Sequence, residues 1–250
     1  MCAAKADPRY ARHASLPQFG SDGVRALGTA HAVIIGVGGT GCAAATGLVS
    51  AGLGALTLCD FDTVDISNLA RQTLFTDSDV GDNKAVVARR RLRALRPAMP
   101  IQVVEQRLDS RALLSAAHRC DIVLDCTDNF ASRFAINQAC VAAATTLVSG
   151  SAIRWEGQLA VFGPDYATSP CYGCLYTDDD ESLDDCSGAG VLAALPAAIG
   201  TMMAGEATKA LAGLRRHTTL ALFDALEQRW QTLNINKNPQ CTVCAPQQEP

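Results

Sequence analysis

Aromatic side chains make up only 5% of this 250-residue chain, and charged residues only 18%. Few large rings are available for a core, whereas Ala and Gly are abundant, which suits close packing of helices on a sheet. No excess of positive charge exists either: the formal net charge is −4, which gives no reason to expect nucleic acid as a partner. The opening residues, Met1-Cys2-Ala3-Ala4-Lys5-Ala6-Asp7, turn polar too soon for a secretory signal, so a cytoplasmic location is expected. A membrane span is not expected. One uncharged stretch, 186–205, approaches spanning length but is mostly Ala and Gly, contains Pro196, and is followed by Glu206, Lys209, Arg215 and Arg216. It predicts a helix buried in protein. The eleven cysteines are an odd count for a disulfide framework, and without a secretory signal they point to metal binding or thiol chemistry.

The informative segment runs from His31 to Asp60. A short apolar run at 33–35 enters Gly36-Val37-Gly38-Gly39-Thr40-Gly41, a small-residue helix follows to about Ala51, and a second apolar run at 55–58 ends on Cys59-Asp60. Strand, glycine turn, helix and strand with a terminal acid form a nucleotide-binding βαβ unit. Glycines let the backbone turn tightly and approach a phosphate, and the helix N-terminus presents unpaired N–H groups. Asp60 lies about 20 residues on, where a carboxylate can take a ribose hydroxyl. Taken alone, the unit leaves NAD and ATP both open.

Downstream, helices are expected at 83–96, 110–117 and 130–142, alternating with strands at 101–104, 122–126 and 147–149. This alternation predicts an α/β, doubly wound, Rossmann-like and mainly parallel sheet with its functional groups at the carboxyl ends of the strands. Beyond Gly150 the pattern changes to strands at 157–162, 218–223 and 229–235, read as an antiparallel extension of the same sheet. The whole chain is therefore expected to form a single domain: an irregular arm and short helix at 9–30, a nucleotide-binding half at 31–150, and a second half at 151–244.

Two cysteine pairs, Cys171-Tyr172-Gly173-Cys174 and Cys241-Thr242-Val243-Cys244, each offer two thiolates from one tight turn, and together they complete a tetrahedral zinc site. Four thiolates leave no open position for a catalytic water, so the metal is structural and pins the tail to the body. Cys42, Cys59, Cys126 and Cys140 lie in apolar segments and read as core. Asp128 ends a buried strand beside Asp125. It serves either as a helix cap, a role Asn129 could also fill, or as a magnesium ligand. Arg71 and Lys84 are natural phosphate contacts. Cys186 sits in a polar loop after the acidic segment 178–185, whose charges raise a thiol's pKa and oppose reactivity.

Several motifs in one order, from Arg9 to Cys244, make the chain similar to the ThiF/MoeB/HesA enzymes, bacterial relatives of the ubiquitin-activating enzymes. They are RYARH at Arg9, GVGGTG at Gly36, DFDTVDISNLARQ at Asp60, Lys84 after GDN, LDCTDN at Leu124, the two CxxC pairs, and Cys186 before SGAGV. The resemblance implies an ATP-dependent adenylyltransferase acting on the C-terminal glycine carboxylate of a small ubiquitin-fold sulfur carrier. The acyl-adenylate then becomes a thiocarboxylate. It places Gly38, Gly39, Asp60, Ser67, Asn68, Leu69, Ala70, Arg71, Lys84, Asp128 and Asn129 around ATP, with Asp128 organising Mg²⁺. It implies the carrier-binding role of the second half and its loop 175–189, a homodimer in which Arg12 reaches the partner's ATP, and a catalytic part for Cys186. His13 and Thr40 depart from the usual residues without removing a proposed catalytic group. No rhodanese segment follows Cys244, so a separate sulfur-donor protein is expected. DFDTVDISNLARQTL and LVSGSAIRWEGQLAVF look closer to the molybdopterin-synthase branch than to the thiamin branch. An NAD-dependent oxidoreductase, which the first βαβ unit alone would allow, offers no explanation for Arg71, Lys84 or the LDCTDN strand end.

Overall fold

The computed structural model describes residues 7–176, 190–214 and 218–245. One eight-stranded sheet runs through both halves of the chain, in the order β3-β2-β1-β4-β5-β6-β7-β8. Its strands are β1 (His31–Ile35), β2 (Ala55–Cys59), β3 (Ile101–Val104), β4 (Ile122–Asp125), β5 (Thr146–Ile153), β6 (Glu156–Phe162), β7 (Thr219–Asp224) and β8 (Arg229–Asn234). The first five are mutually parallel, and β6, β7 and β8 continue the sheet antiparallel. The helices are α1 (Ala11–Ala14), α2 (Gly20–Thr29), α3 (Gly39–Ala51), α4 (Lys84–Leu95), α5 (Ser110–His118), α6 (Phe130–Ala143) and α7 (Ala194–Leu211).

The central strands are buried on both faces, as parallel strands between two helix layers must be. In β1, Ala32 and Ile34 face one core, which also holds Leu27, Leu48, Leu92, Ile199 and Met203. Val33 faces the other, with Leu113, Phe134, Ile136 and the cysteine-rich segments. This is the two-residue period of a strand read directly. Small residues let α3 and α7 approach closely. A Cβ on Gly200 would stand 2.1 Å from the Thr40 carbonyl oxygen.

From Ala194 the uncharged stretch lies in α7, whose Leu195, Ile199 and Met203 lie within the core. No helix among the described residues is long and apolar enough to cross a membrane. Two boundaries differ from expectation. The N-terminal arm is not irregular throughout: it forms a 3-10 turn at Pro8–Tyr10 and the short α1. Strand β5 extends beyond residue 149 to Ile153, because past Ser149, where its pairing with β4 ends, it continues to pair with β6 up to Ile153 opposite Glu156.

Candidate functional site

The carboxyl ends of four strands lie level. Ile35 of β1 pairs with Cys59 of β2 and Asp125 of β4, and Cys59 pairs with Val104 of β3. A cavity of about 710 Å³ opens above them, where open α/β sheets place their ligands.

The glycine turn forms its floor. Gly36 has φ +87°, and a Cβ there would also meet the Cys126 carbonyl oxygen at 2.8 Å, so only glycine fits. Gly39 begins α3 with Gly38 as N-cap and no side-chain cap, which leaves first-turn N–H groups for an anion. A Cβ on Gly39 would stand 2.7 Å from the Pro196 side chain and 2.9 Å from the Arg71 carbonyl oxygen. The buried Asp60 clamps this turn: its Oδ2 accepts from the Val37 N–H at 2.6 Å and its Oδ1 from the Asp62 N–H at 2.9 Å. Burial raises its pKa, and the two N–H bonds oppose that rise.

Cations and acids ring the rest. Lys84, the first residue of α4, is 8% exposed, and its Nζ lies 3.0 Å from Asp62 Oδ2. Asn83 caps α4 through the Val86 N–H and donates from its Nδ2 to the Asp60 carbonyl oxygen at 3.0 Å, which joins the two motifs. Arg71 donates from Nη1 to the Ser67 carbonyl oxygen at 2.9 Å. At the end of β4, Asn129 is the residue that caps α6, accepting from the Ser132 N–H at 2.9 Å. Asp128 is thereby left exposed at the cavity wall, with its carboxylate accepting from Asn129 Nδ2 at 3.3 Å. Asp125 is fully engaged: it accepts from the Thr127 N–H and hydroxyl at 3.0 and 2.7 Å and from the Ser149 hydroxyl at 3.1 Å. Burial pushes its carboxyl up, and the neighbouring Arg133 pulls it down. Arg133 holds the loop from behind, donating to the Thr127 carbonyl oxygen from Nη2 at 2.8 Å.

Of the residues singled out in the sequence, Gly38, Gly39, Asp60, Asn68, Ala70, Arg71, Lys84, Asp128 and Asn129 all border this cavity. Ser67 and Leu69 are not among its lining residues. Ser67 turns back to Asp65 with bonds of 2.8 Å from its N–H and 2.6 Å from its hydroxyl, and Leu69 packs on the core. Arg12 lies outside the cavity, exposed on α1. Cys186, with loop residues 177–189, lies outside the described residues. Phe61, Gln72, Arg107, Arg133 and Pro196, which the sequence alone does not single out as site residues, also border the cavity. Gln72, in the motif that begins at Asp60, is 4% exposed and has a buried Oε1 without a hydrogen-bond partner among the described residues.

In the second half, the thiols of Cys171, Cys174, Cys241 and Cys244 lie within 4.8 Å of one another. The Cys171–Cys241 and Cys174–Cys244 sulfur pairs are 3.7 and 3.5 Å apart. Zn–S bonds of about 2.3 Å at tetrahedral angles put ligand sulfurs about 3.8 Å apart, so the four could hold a zinc ion. Donors for thiolates are already in place: Asn137 Nδ2 reaches Cys171 Sγ at 3.5 Å, and Lys237 Nζ reaches Cys244 Sγ at 3.1 Å. Burial alone would raise the Cys241 thiol, but hydrogen bonds from the Cys244 and Val243 N–H groups and from the Cys171 and Cys244 thiols together hold it below its ordinary value. Cys42, Cys59, Cys126 and Cys140 are buried and pushed up by burial, as inert core thiols are.

The ThiF family profile matches residues 10–243. The molybdopterin-synthase adenylyltransferase of Escherichia coli is 44% identical over 238 residues, covering 94% of this chain and 95% of that protein. The sulfur carrier protein ThiS adenylyltransferase of the same organism is 41% identical over 237 residues, covering 94% of each. Among solved structures, E. coli MccB with succinimide superposes with a TM-score of 0.83 at 20% identity, over 98% of this chain and 75% of that one, a likeness of fold. With the profile spanning both halves and full-length relatives at this identity, the chain belongs to the ThiF family.

Proposed function

We propose that this chain is an ATP-dependent adenylyltransferase that activates the C-terminal glycine carboxylate of a small ubiquitin-fold sulfur carrier of the molybdopterin-synthase type. One observation carries the reading: a single cavity joins the glycine turn, Asp60, Arg71, Lys84 and Asp128. Two relatives over 40% identical are named adenylyltransferases, one of molybdopterin synthase and one of the sulfur carrier protein ThiS.

In this reading a carboxylate oxygen of the carrier attacks the α-phosphorus of ATP, the bond to the bridging oxygen breaks, and pyrophosphate leaves. The nucleophile is already ionised, so a general base contributes little. Catalysis rests on positioning and neutralisation of charge. Asp60, held by two backbone N–H groups, orients the ribose, and the first turn of α3 faces the phosphates. Arg71 and Lys84 supply fixed positive charge. Asp128, whose carboxylate among the described residues accepts from the Asn129 amide, would hold a hard cation such as Mg²⁺, which would supply further neutralising charge. Arg12, exposed outside its own chain's cavity, is free to serve the site of a second copy in a homodimer. The four cysteines hold structural zinc. A separate protein supplies sulfur, in the cytoplasm, and the part taken by Cys186 depends on the carrier branch.

A carrier of the thiamin type is the second reading, favoured by the 41% identical ThiS adenylyltransferase. Carrier-dependent exchange of labelled pyrophosphate into ATP tests both. Faster exchange with a molybdopterin-type than with a thiamin-type carrier is expected, the reverse order selects the second reading, and no exchange with any carrier overturns both. Asp128→Ala is expected to bind carrier normally yet form no adenylate, which excludes a module that only holds the carrier.

A further inference from the structure

Resting on the reading of the cavity as an ATP site, we infer that Phe61 and Arg107 form the shelf on which the nucleotide's base lies, and that Arg107 strengthens binding of ATP through the base and not through the phosphates. The level strand ends give the direction. Phosphates belong at the glycine turn closing β1, and the ribose belongs at Asp60 closing β2. Strand spacing of about 4.8 Å carries the same line onto β3, whose carboxyl end leads into Gln106, Arg107 and Leu108, all on the cavity wall.

On this side the wall changes character. The Arg107 guanidinium lies 4.7 Å from the centroid of the Phe61 ring. Phe61 is 47% exposed at the cavity wall, so its ring has a free surface that a flat ligand can cover. Leu108 and the buried Leu113 continue the apolar surface beside the pair. Among the described residues Arg107 makes no ion pair, so its planar cation is held by the ring. A guanidinium stacked on an aromatic ring offers its second face to another π-system, and a purine is one. Arg71, from the loop after β2, and Lys84, the first residue of α4, supply the cations proposed for the phosphates, whereas Arg107 follows β3.

The test measures binding of ATP and of inorganic tripolyphosphate, which lacks a base, to the full chain by calorimetry. Arg107→Ala is expected to weaken ATP about two- to thirtyfold, the range of a cation–π contact from exposed to desolvated, and to leave tripolyphosphate unchanged. Phe61→Leu, which keeps apolar bulk but removes the ring, is expected to weaken ATP alone as well. Equal weakening of both ligands would make Arg107 a phosphate contact and overturn the inference. Unchanged ATP affinity in both variants would overturn it too, with the ATP reading intact. Failure of the unaltered chain to bind ATP would remove both.

Discussion

Lys84 and Asp62 stand as an ion pair, 3.0 Å apart, across the lip of the cavity, the lysine side chain 10% exposed and the aspartate 53%. On the proposed reading, the pair would keep the Lys84 ammonium at the wall and neutralised until phosphates bind. Lys84→Met is expected to lower carrier-dependent pyrophosphate exchange at least a hundredfold, the scale of losing one preorganised charge contact. Asp62→Asn is expected to change it less than about tenfold, since a half-exposed pair contributes about 1 kcal/mol or less. Comparable losses in the two variants would show that Asp62 takes part directly.

Metal content and stability are expected to move together. Elemental analysis should give one zinc per chain, and Cys174→Ser should lose it with a lower melting temperature. Lys237→Met, which removes the amine from Cys244 Sγ and from the Tyr166 and Cys244 carbonyl oxygens, should weaken zinc retention about ten- to a hundredfold in a chelator competition. Metal-free protein that stays folded should still form adenylate.

Asp79 sets an acid limit on stability. Its buried carboxylate accepts from Arg91 at 2.8 Å and from the Thr76 N–H and hydroxyl at 2.9 and 2.8 Å, with Arg90 also paired. Burial alone would raise its pKa, but the bonds from Arg91 and Thr76 outweigh it and bring it down to about 2. A lowered carboxylate stabilises the fold above the unfolded value near 3.9 and loses that contribution as pH falls toward 2. Denaturant midpoints from pH 5 to pH 2.5 should fall for the unaltered chain and fall less steeply for Asp79→Asn.

Two glycines of α7 should respond with opposite signs. Gly200→Ala would drive a methyl into the Thr40 carbonyl and is expected to destabilise by about 2–3 kcal/mol. At Gly205 nothing lies within 4 Å of the added Cβ, so Gly205→Ala is expected to stabilise by about 0.5–1 kcal/mol through helix propensity. Thermal melts of the two variants check the pair.

Much of this fold was legible because its signals are local. Apolar runs at 33–35 and 55–58, with glycines between, fix a strand–turn–helix–strand order that tertiary packing has no cause to override, and paired CxxC turns announce their own ligands. Less legible was whatever depended on which neighbour a residue meets. That Asn129 and not Asp128 caps α6 follows from side-chain rotamers, and only then is Asp128 released to the cavity. Arg107 reads in the chain as one more surface cation; its place beside Phe61 exists only once β3 lies against β2. The continuation of β5 through Gly150 to Ile153 was hidden because Gly, Ser and Ala carry little strand preference, and the pairing with β6 supplies what propensity does not.

The cysteine cluster has a further consequence, in the entropy of the unfolded chain. Cys171 and Cys241 stand 70 positions apart. A metal joining them ties α7, β7 and β8 into a closed ring, together with the Pro196 that presses on the glycine turn. By the chain-entropy account used for cross-links, closing a loop of that length removes about 4 kcal/mol of disorder from the unfolded state. The effect grows only with the logarithm of ring size, so residues added to a surface loop within the ring would cost little. The ion would thus steady one wall of the cavity at the strand ends without touching it, by leaving the chain fewer ways to come apart.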